Sequence, residues 1–258
     1  SGPLMPSTVV HVGFALLLAA GLLGSAYDRR ALAVVAGAVV FADLDVFTSL
    51  VVEGSHRAMF HTLLVPLFVG TYLYADTHWR ESSLVRARIG DRGVRVAWVA
   101  IAAFCLSAVG LDLFTAAGVN PFYPLFDQFY AFNGQVTWSS VDGLTQTFVQ
   151  VGQQSPDSTA GGGAGGTTVD VGQKGTSQEY RVGSGIDPSR GPEPANVERV
   201  FPVVYNGWQT FLTLTGLLVT TVKLRCLPAW TAARTGRGQG EVPSTEPSET
   251  GDVEATDD

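Results

Sequence analysis

An all-α, polytopic membrane bundle fits this chain on three grounds. Five stretches, residues 9–27, 31–52, 58–75, 96–118 and 201–222, are almost wholly apolar. Each has the length of a spanning helix, which takes roughly 17–25 apolar residues at about 1.5 Å rise per residue. None carries the polar residue every third or fourth position that gives a soluble helix its wet face. The expected architecture is about five spans, a long and partly disordered outer loop, and a disordered acidic tail. The boundaries fall at 5–135 for a membrane domain, 136–200 for a Gly/Ser/Thr-rich outer loop, 201–226 for the last transmembrane helix and 227–258 for the tail.

Taken in order, the first run holds His11 and is followed by Arg29 and Arg30. A secretory signal carries its positive residues before the apolar stretch, so this run reads as a retained helix with its N-terminus outside. The second run contains "FADLD" and leads through a short loop, 53–57, into the third. Arg80, Arg86, Arg88, Arg92 and Arg95 lie between the third and fourth runs, and Lys223, Arg225, Arg234 and Arg237 follow the fifth. With Arg29 and Arg30, these place eleven of the sixteen basic residues on one side of a five-span bundle. Basic loops face the cytoplasm. The chain is therefore expected in the plasma membrane as a multi-pass protein, with 53–57 and 119–200 outside and the C-terminal tail cytoplasmic.

The long loop opens on "NPFYPLFDQFYAF", with six aromatics between 122 and 132. This fits either an interfacial belt or a packed aromatic loop. From Asn133 the composition turns to Gly, Ser, Gln and Thr, with room for a short strand around "GQVTWSS". Such a stretch buries too little apolar surface to offset its ordering entropy, so most of it is expected to be flexible.

The net charge of −7 arises in the tail, where residues 241–258 hold seven acidic residues and no basic one. Its sign therefore says nothing about a substrate, and the lack of a basic patch with interleaved aromatics excludes nucleic acid as a partner. Cys105 and Cys226 sit in or beside apolar runs at no zinc-finger or disulfide spacing.

The informative residues are ionisable groups within or beside the spans, where charge is costly and usually functional. They are His11, Asp43, Asp45, His56, Arg57, His61 and Asp112. At about 1.5 Å per residue from the inner helix ends, Asp43 and Asp45 lie roughly 18–21 Å up a span of about 30 Å. Asp112 and His11 lie roughly 25 Å up, and His61 enters the same layer from outside. On an unbroken helix, positions 43 and 45 diverge by about 200° and positions 56 and 61 by about 140°. The pairs converge only if the backbone breaks, which a membrane tolerates around a buried polar pocket. Alone, any of these residues is as well explained by a salt bridge or helix cap. Together, imidazoles and carboxylates are the ligand set of zinc, manganese or iron. The expected metal ligands are His11, Asp43, Asp45, His56, His61 and Asp112, with zinc the first choice of ion. Asp43 or Asp45 would orient or deprotonate a water, and Arg57 would donate to an anionic substrate oxygen.

The segments "MPSTVVHVGFAL", "FADLDV", "HRAMFHTLL" and "LDLFTAAGVNPFYPL" resemble the YdjM-like family of membrane-bound, metal-dependent hydrolases, also described as LexA-binding inner-membrane proteins. The family pattern is His-xxx-Gly, Pro-Asp-Leu-Asp, His-Arg-Gly-x-Thr-His-Ser, then Asp before Gly-Val and Tyr-Pro. Asp43, Asp45, His56, Arg57, His61, Asp112, Gly118, Val119, Tyr123 and Pro124 match it. Gly13 follows His11 by two, Ala42 replaces the Pro, and Ala58, Phe60 and Thr62 replace Gly, Thr and Ser. The resemblance covers about half the chain, roughly residues 5–135, and implies a metal site and a hydrolase. No residue here can be matched to LexA binding. The expected function is hydrolysis of an ester or phosphodiester in a lipid or lipid-linked substrate taken from the membrane. Ion or metal transport and a non-enzymatic membrane scaffold are the alternatives. Oligomeric state is not legible.

Overall fold

The structure, a computed structural model, describes residues 7–153, 167–188, 196–197 and 199–237. It is mostly helical. Helix α1 spans Thr8–Leu22, α2 Arg29–Asp43, α3 Asp45–Thr48, α4 Leu64–His78 and α5 Leu84–Ala103. A π-helical segment, Phe104–Gly110, continues α5 into α6, Leu111–Leu113, and α7 spans Gly207–Arg237. The Gly-rich stretch 161–166 and the acidic residues 241–258 lie outside the described residues. Helix α7 runs eleven residues past the boundary at 226 that hydropathy suggests.

Among the described residues, two helical stretches are long and apolar enough to cross a membrane, Arg29–Thr48 and Leu84–Leu113. The first and third runs form shorter helices than their hydropathy suggests. Helices α1 and α4 have 15 residues each, about 22 Å at 1.5 Å per residue, less than a hydrocarbon core of about 30 Å. The first run stops because Leu23 leads into a 3₁₀ turn, Gly24–Ala26, with Gly24 at φ 54°. The third run starts late because residues 58–63 form a turn instead, which carries His61 into the bundle. Gly90, at φ 66°, breaks α5, and the apolar part of that span lies after it.

Helix α1 packs against α7 and α2, α2 against α5, and α4 against α5. Ala15, Ala19, Val35, Val39, Ala42, Ala103 and Ala108 form the contact layer. Small residues let membrane helices approach closely, where packing rather than water exclusion drives association. Gly13 and Gly216 mark the closest crossing. A Cβ on Gly216 would lie 2.1 Å from the Gly13 carbonyl oxygen, and one on Gly13 would lie 2.7 Å from Thr213 Cα. This crossing fixes α1 two residues from His11. Outside the core, Leu67, Phe68, Phe211 and Leu218 are each more than 60% exposed. An apolar surface of that extent suits lipid rather than water.

At the end of the bundle that holds the ends of α2 and α6 lies a cap of short strands: β1 Phe129–Tyr130, β2 Val136–Ser139, β3 Gly143–Gln146, β4 Gln150–Gln153, β5 Thr167–Asp170 and β6 Gln173–Gly175. They pair antiparallel as β1–β6, β2–β3 and β4–β5. The β2–β3 hairpin contains the "GQVTWSS" strand. The aromatic segment divides: Phe122, Leu125 and Phe126 are exposed, while Phe129 is buried against Tyr180 at 5.3 Å between ring centroids. Within the loop expected to be mostly flexible, residues 171–188 make specific polar contacts. Asp127 accepts from the Ser177 N–H at 2.9 Å and its hydroxyl at 2.6 Å, and the Tyr180 hydroxyl donates to the Ala117 carbonyl at 3.0 Å. These polar contacts order a segment that composition alone marks as loose.

The opposite end is held by charge. Asp28 caps α2, accepting from Ala31 N–H at 2.8 Å, and pairs with Arg92 of α5. The Ala31 amide, and after it Arg92, hold the Asp28 carboxyl below its usual pKa. A depressed carboxylate stabilises the fold above its unfolded pKa and loses that contribution as pH falls through the folded value. Asp28→Ala should therefore lower the melting temperature at pH 7, and the gap to wild type should close below about pH 4. Thermal melts across pH in one detergent check this; a gap that does not narrow as the pH falls below about 4 would contradict it.

Candidate metal centre

The site forms where four segments break their helical regularity together. Helix α2 ends at Asp43, Leu44 makes a turn, and α3 begins at Asp45. That break brings both aspartates onto one imidazole from opposite sides. His61 Nε2 lies 3.3 Å from Asp43 Oδ1, and Nδ1 lies 2.8 Å from Asp45 Oδ2. The third break is at Arg57, whose φ of 60° is in the left-handed region, which is unfavourable for a non-glycine residue and recurs at functional sites. There its N–H donates to Asp45 Oδ2 at 3.0 Å, while its carbonyl accepts from Asn120 N–H at 2.9 Å. The fourth is the π-helical segment, a geometry also frequent at functional sites, which ends just before Asp112.

The tautomers follow from the partners. His11 Nδ1 is 2.6 Å from the Ser107 carbonyl oxygen. A carbonyl only accepts, so Nδ1 carries the proton and Nε2 the lone pair. His61 Nδ1 faces an acceptor in the same way, the Asp45 carboxylate. The two Nε2 atoms then point at Asp112, His11 Nε2 lying 3.3 Å from Oδ1 and His61 Nε2 3.4 Å from Oδ2. His11, His61 and Asp112 are fully buried, and their ligand atoms lie within 4.8 Å of one another.

Three features show that this group can hold a metal ion. First, bonds of about 2.0–2.1 Å to a tetrahedral ion put neighbouring ligand atoms about 3.3 Å apart. The spacings of 3.3, 3.4 and 3.3 Å around Asp112, His61 and Asp43 match that edge. Second, His61 Nε2, both Asp112 oxygens and Asp43 Oδ2 are buried without a hydrogen bond. Orphaned polar atoms on this scale are unusual in a folded interior. Arg57 Nη2 lies 2.8 Å from Asp112 Oδ1, an ion pair not aligned as a hydrogen bond. Third, Asp43, Asp45 and Asp112 face one guanidinium, Arg57, and with neutral imidazoles the balance is two negative charges. A divalent cation cancels it.

The expected ligands take different places. His11, His61 and Asp112 form the buried triad, with Asp43 beside it at the wall of an adjoining cavity. Asp45 stands behind them. One of its oxygens holds His56 Nδ1 at 2.9 Å and the other holds His61 Nδ1 and the Arg57 amide. Metal-binding histidines commonly pass their other N–H to such a carboxylate, which fixes the ring and raises its basicity. His56 is turned by Asp45 toward the cavity, its ring centroid 6.5 Å from that of His61, and lies outside the triad. Arg57 was expected to meet a substrate. Its guanidinium lies 2.8 Å from Asp112 and donates to the Thr115 hydroxyl and the Gly118 carbonyl, each at 3.4 Å, and the residue also lines the cavity. Ser107 and Thr115 escaped the sequence analysis. Ser107 is a small residue within an apolar run and acts on His11 through its backbone carbonyl, which no side-chain pattern reports.

A ligand and its supporting group should respond differently. His61→Ala or Asp112→Ala should remove the bound divalent ion, whereas Asp45→Asn should lower metal affinity by about 10–100-fold. Elemental analysis and competition with a chelator of known affinity measure both. Equal, complete loss in Asp45→Asn would make Asp45 a ligand.

The family model described as "YdjM inner membrane protein" matches residues 5–165. No curated protein and no solved structure matches the chain. The matched segment is more than half of the sequence and contains every residue of the cluster. The chain therefore belongs to the YdjM inner membrane protein family.

Proposed function

We propose that the protein is a membrane-embedded, metal-dependent hydrolase of an ester or phosphodiester in a lipid or lipid-linked substrate. The observation that carries this is the place of Asp43, which borders the buried His11, His61 and Asp112 group and also lines an open cavity rather than a closed core. A structural metal site is normally sealed by its ligands, whereas a catalytic one keeps an open side. A bound divalent ion, zinc by the His and Asp donor set and manganese or iron otherwise, supplies Lewis acidity and an acidified water.

The protein's own residues do the rest. His11, His61 and Asp112 hold the ion, with Asp43 as the carboxylate nearest the cavity. Of the three aspartates it alone lines that cavity, so it orients the attacking water and accepts its proton. Asp45 is a positioning residue, since its oxygens already serve His56 and His61. His56, held by Asp45 and 14% exposed, is placed to return a proton to the leaving group. Arg57, 2.8 Å from Asp112, offsets part of the carboxylate charge.

Transport is the weaker alternative. An ion path needs polar groups across the whole bundle, but the described buried cluster occupies one end. Asp76, the buried carboxylate toward the other end, instead accepts from the Ser83 hydroxyl and the amides of Leu84 and Val85 at the start of α5. The five-span topology is part of the same proposal: the N-terminus, the cluster and the 119–200 segment face outward, and the arginine-rich end faces the cytoplasm.

Two measurements test this. Release of a headgroup or acid from mixed lipid esters and phosphodiesters should be abolished by chelator and fall by about 10²–10⁴-fold in Asp43→Asn. Metal-loaded protein that hydrolyses nothing on a broad panel, yet moves ions in proteoliposomes, would overturn the hydrolase. Protease added to intact cells should cut within 133–200; cleavage only after the membrane is opened would overturn the topology.

A further inference from the structure

One wall of the cavity beside the cluster is built by chain beyond residue 165, where the family match ends. The cavity holds about 450 Å³, and Asp43, His56 and Arg57 form its polar floor. Val46 of α3 forms one side, and Ile186, Val200, Phe201 and Tyr205, between β6 and α7, form the other.

This strap is tied down at several points. Ser184 and Asp187 close a turn, the Ser184 N–H donating to the Asp187 carbonyl and the Asp187 N–H to Ser184 Oγ, both at 3.0 Å. Arg199 donates to the carbonyls of Gly185 at 3.2 Å and Ile186 at 2.6 Å, joining the two halves of the strap. Gly185 lets those halves meet, since a Cβ there would lie 2.6 Å from the Val200 carbonyl and 2.7 Å from the Phe201 ring. Arg181 bonds Glu53 at 3.2 Å and Asp187 at 2.9 Å, and the Ser7 hydroxyl donates to the Val203 carbonyl. The strap is thereby fixed to the start of α1 and to the turn after α3.

Apolar side chains are exposed on both elements that line the cavity or next to its lining residues in sequence. Phe201 and Val203 are 64% and 63% exposed on the strap, and Phe47 and Leu50 are 55% and 62% exposed on and just after α3. At the end of a membrane bundle such surfaces border lipid, so an apolar chain can enter sideways without crossing water. We propose that the strap is the specificity element of this site. It holds the apolar chain of an amphiphile with an ester or phosphoryl head, while the head rests on the floor of Asp43 and His56. The inference rests on the hydrolase reading for the fate of the head, but binding alone can test it.

Alkyl phosphates from methyl to hexyl serve as probes, titrated against the full-length, metal-loaded protein in one type of lipid nanodisc so that partition into lipid is common to every variant. Wild-type affinity should rise about three- to fourfold per added methylene. Ile186→Ser and Phe201→Ser should flatten that rise below twofold, with metal content and methyl phosphate affinity unchanged. Gly185→Val, which separates the halves of the strap, should flatten it too. Equal slopes in wild type and variants would overturn the proposal. So would loss of metal together with the slope in all three variants, or failure of every alkyl phosphate to bind the metal-loaded protein. A chain-length slope without turnover of any ester would instead remove the hydrolase reading and leave the strap's role standing.

Discussion

Three aspartates gathered around buried His61 and Arg57 impose the constraint on which this fold turns. Each unpaired charge taken from water into a low-dielectric interior costs several kcal/mol. With neutral imidazoles, Asp43, Asp45 and Asp112 outnumber the one guanidinium paired with the cluster, and the site carries a negative surplus. The backbone is shaped to hold this surplus at one point rather than disperse it. Helix α2 stops at Asp43, the chain takes a left-handed step at Arg57, and α5 widens into a π-helical segment before Asp112. Each irregularity sets a ligand or a group behind one.

The hierarchy within the cluster follows from where protons must sit. Ser107 and Asp45 accept the Nδ1 protons of His11 and His61, and this aims both Nε2 lone pairs inward. Asp45 is the most connected of the cluster's aspartates, its oxygens already serving His56, His61 and the Arg57 amide. Helix packing serves the same end. The glycine crossing of α1 and α7 holds α1 close to the bundle axis, and with it His11 within reach of Asp112.

Much of the site was legible in the sequence because charge inside an apolar run has few explanations. His11, Asp43, Asp45, His56, His61 and Asp112 all stand out against their neighbours, and the helix break at 43–45 follows from their angular divergence. The division of roles was not legible, since it depends on which ring nitrogen meets which acceptor. Helix lengths were overestimated for α1 and α4 because hydropathy does not register that Gly24 ends a helix or that residues 58–63 turn inward. The strap was hidden by composition. Its order comes from Arg181, Ser184 and Arg199 meeting specific carbonyls and carboxylates, and low hydrophobicity conceals such contacts.

Clustered aspartates, a cavity with polar lining and exposed apolar residues on neighbouring chain are the features on which the proposed activity rests. All of it depends on a divalent ion sitting between two imidazoles and carboxylate oxygen. X-ray absorption at the edge of the ion that co-purifies with the wild-type protein tests this most directly. The spectrum should contain the multiple scattering of two imidazole rings, with the remaining neighbours oxygen at about 2.0–2.2 Å. An ion surrounded only by oxygen, or by sulfur, or no stoichiometric ion at all, would contradict the account.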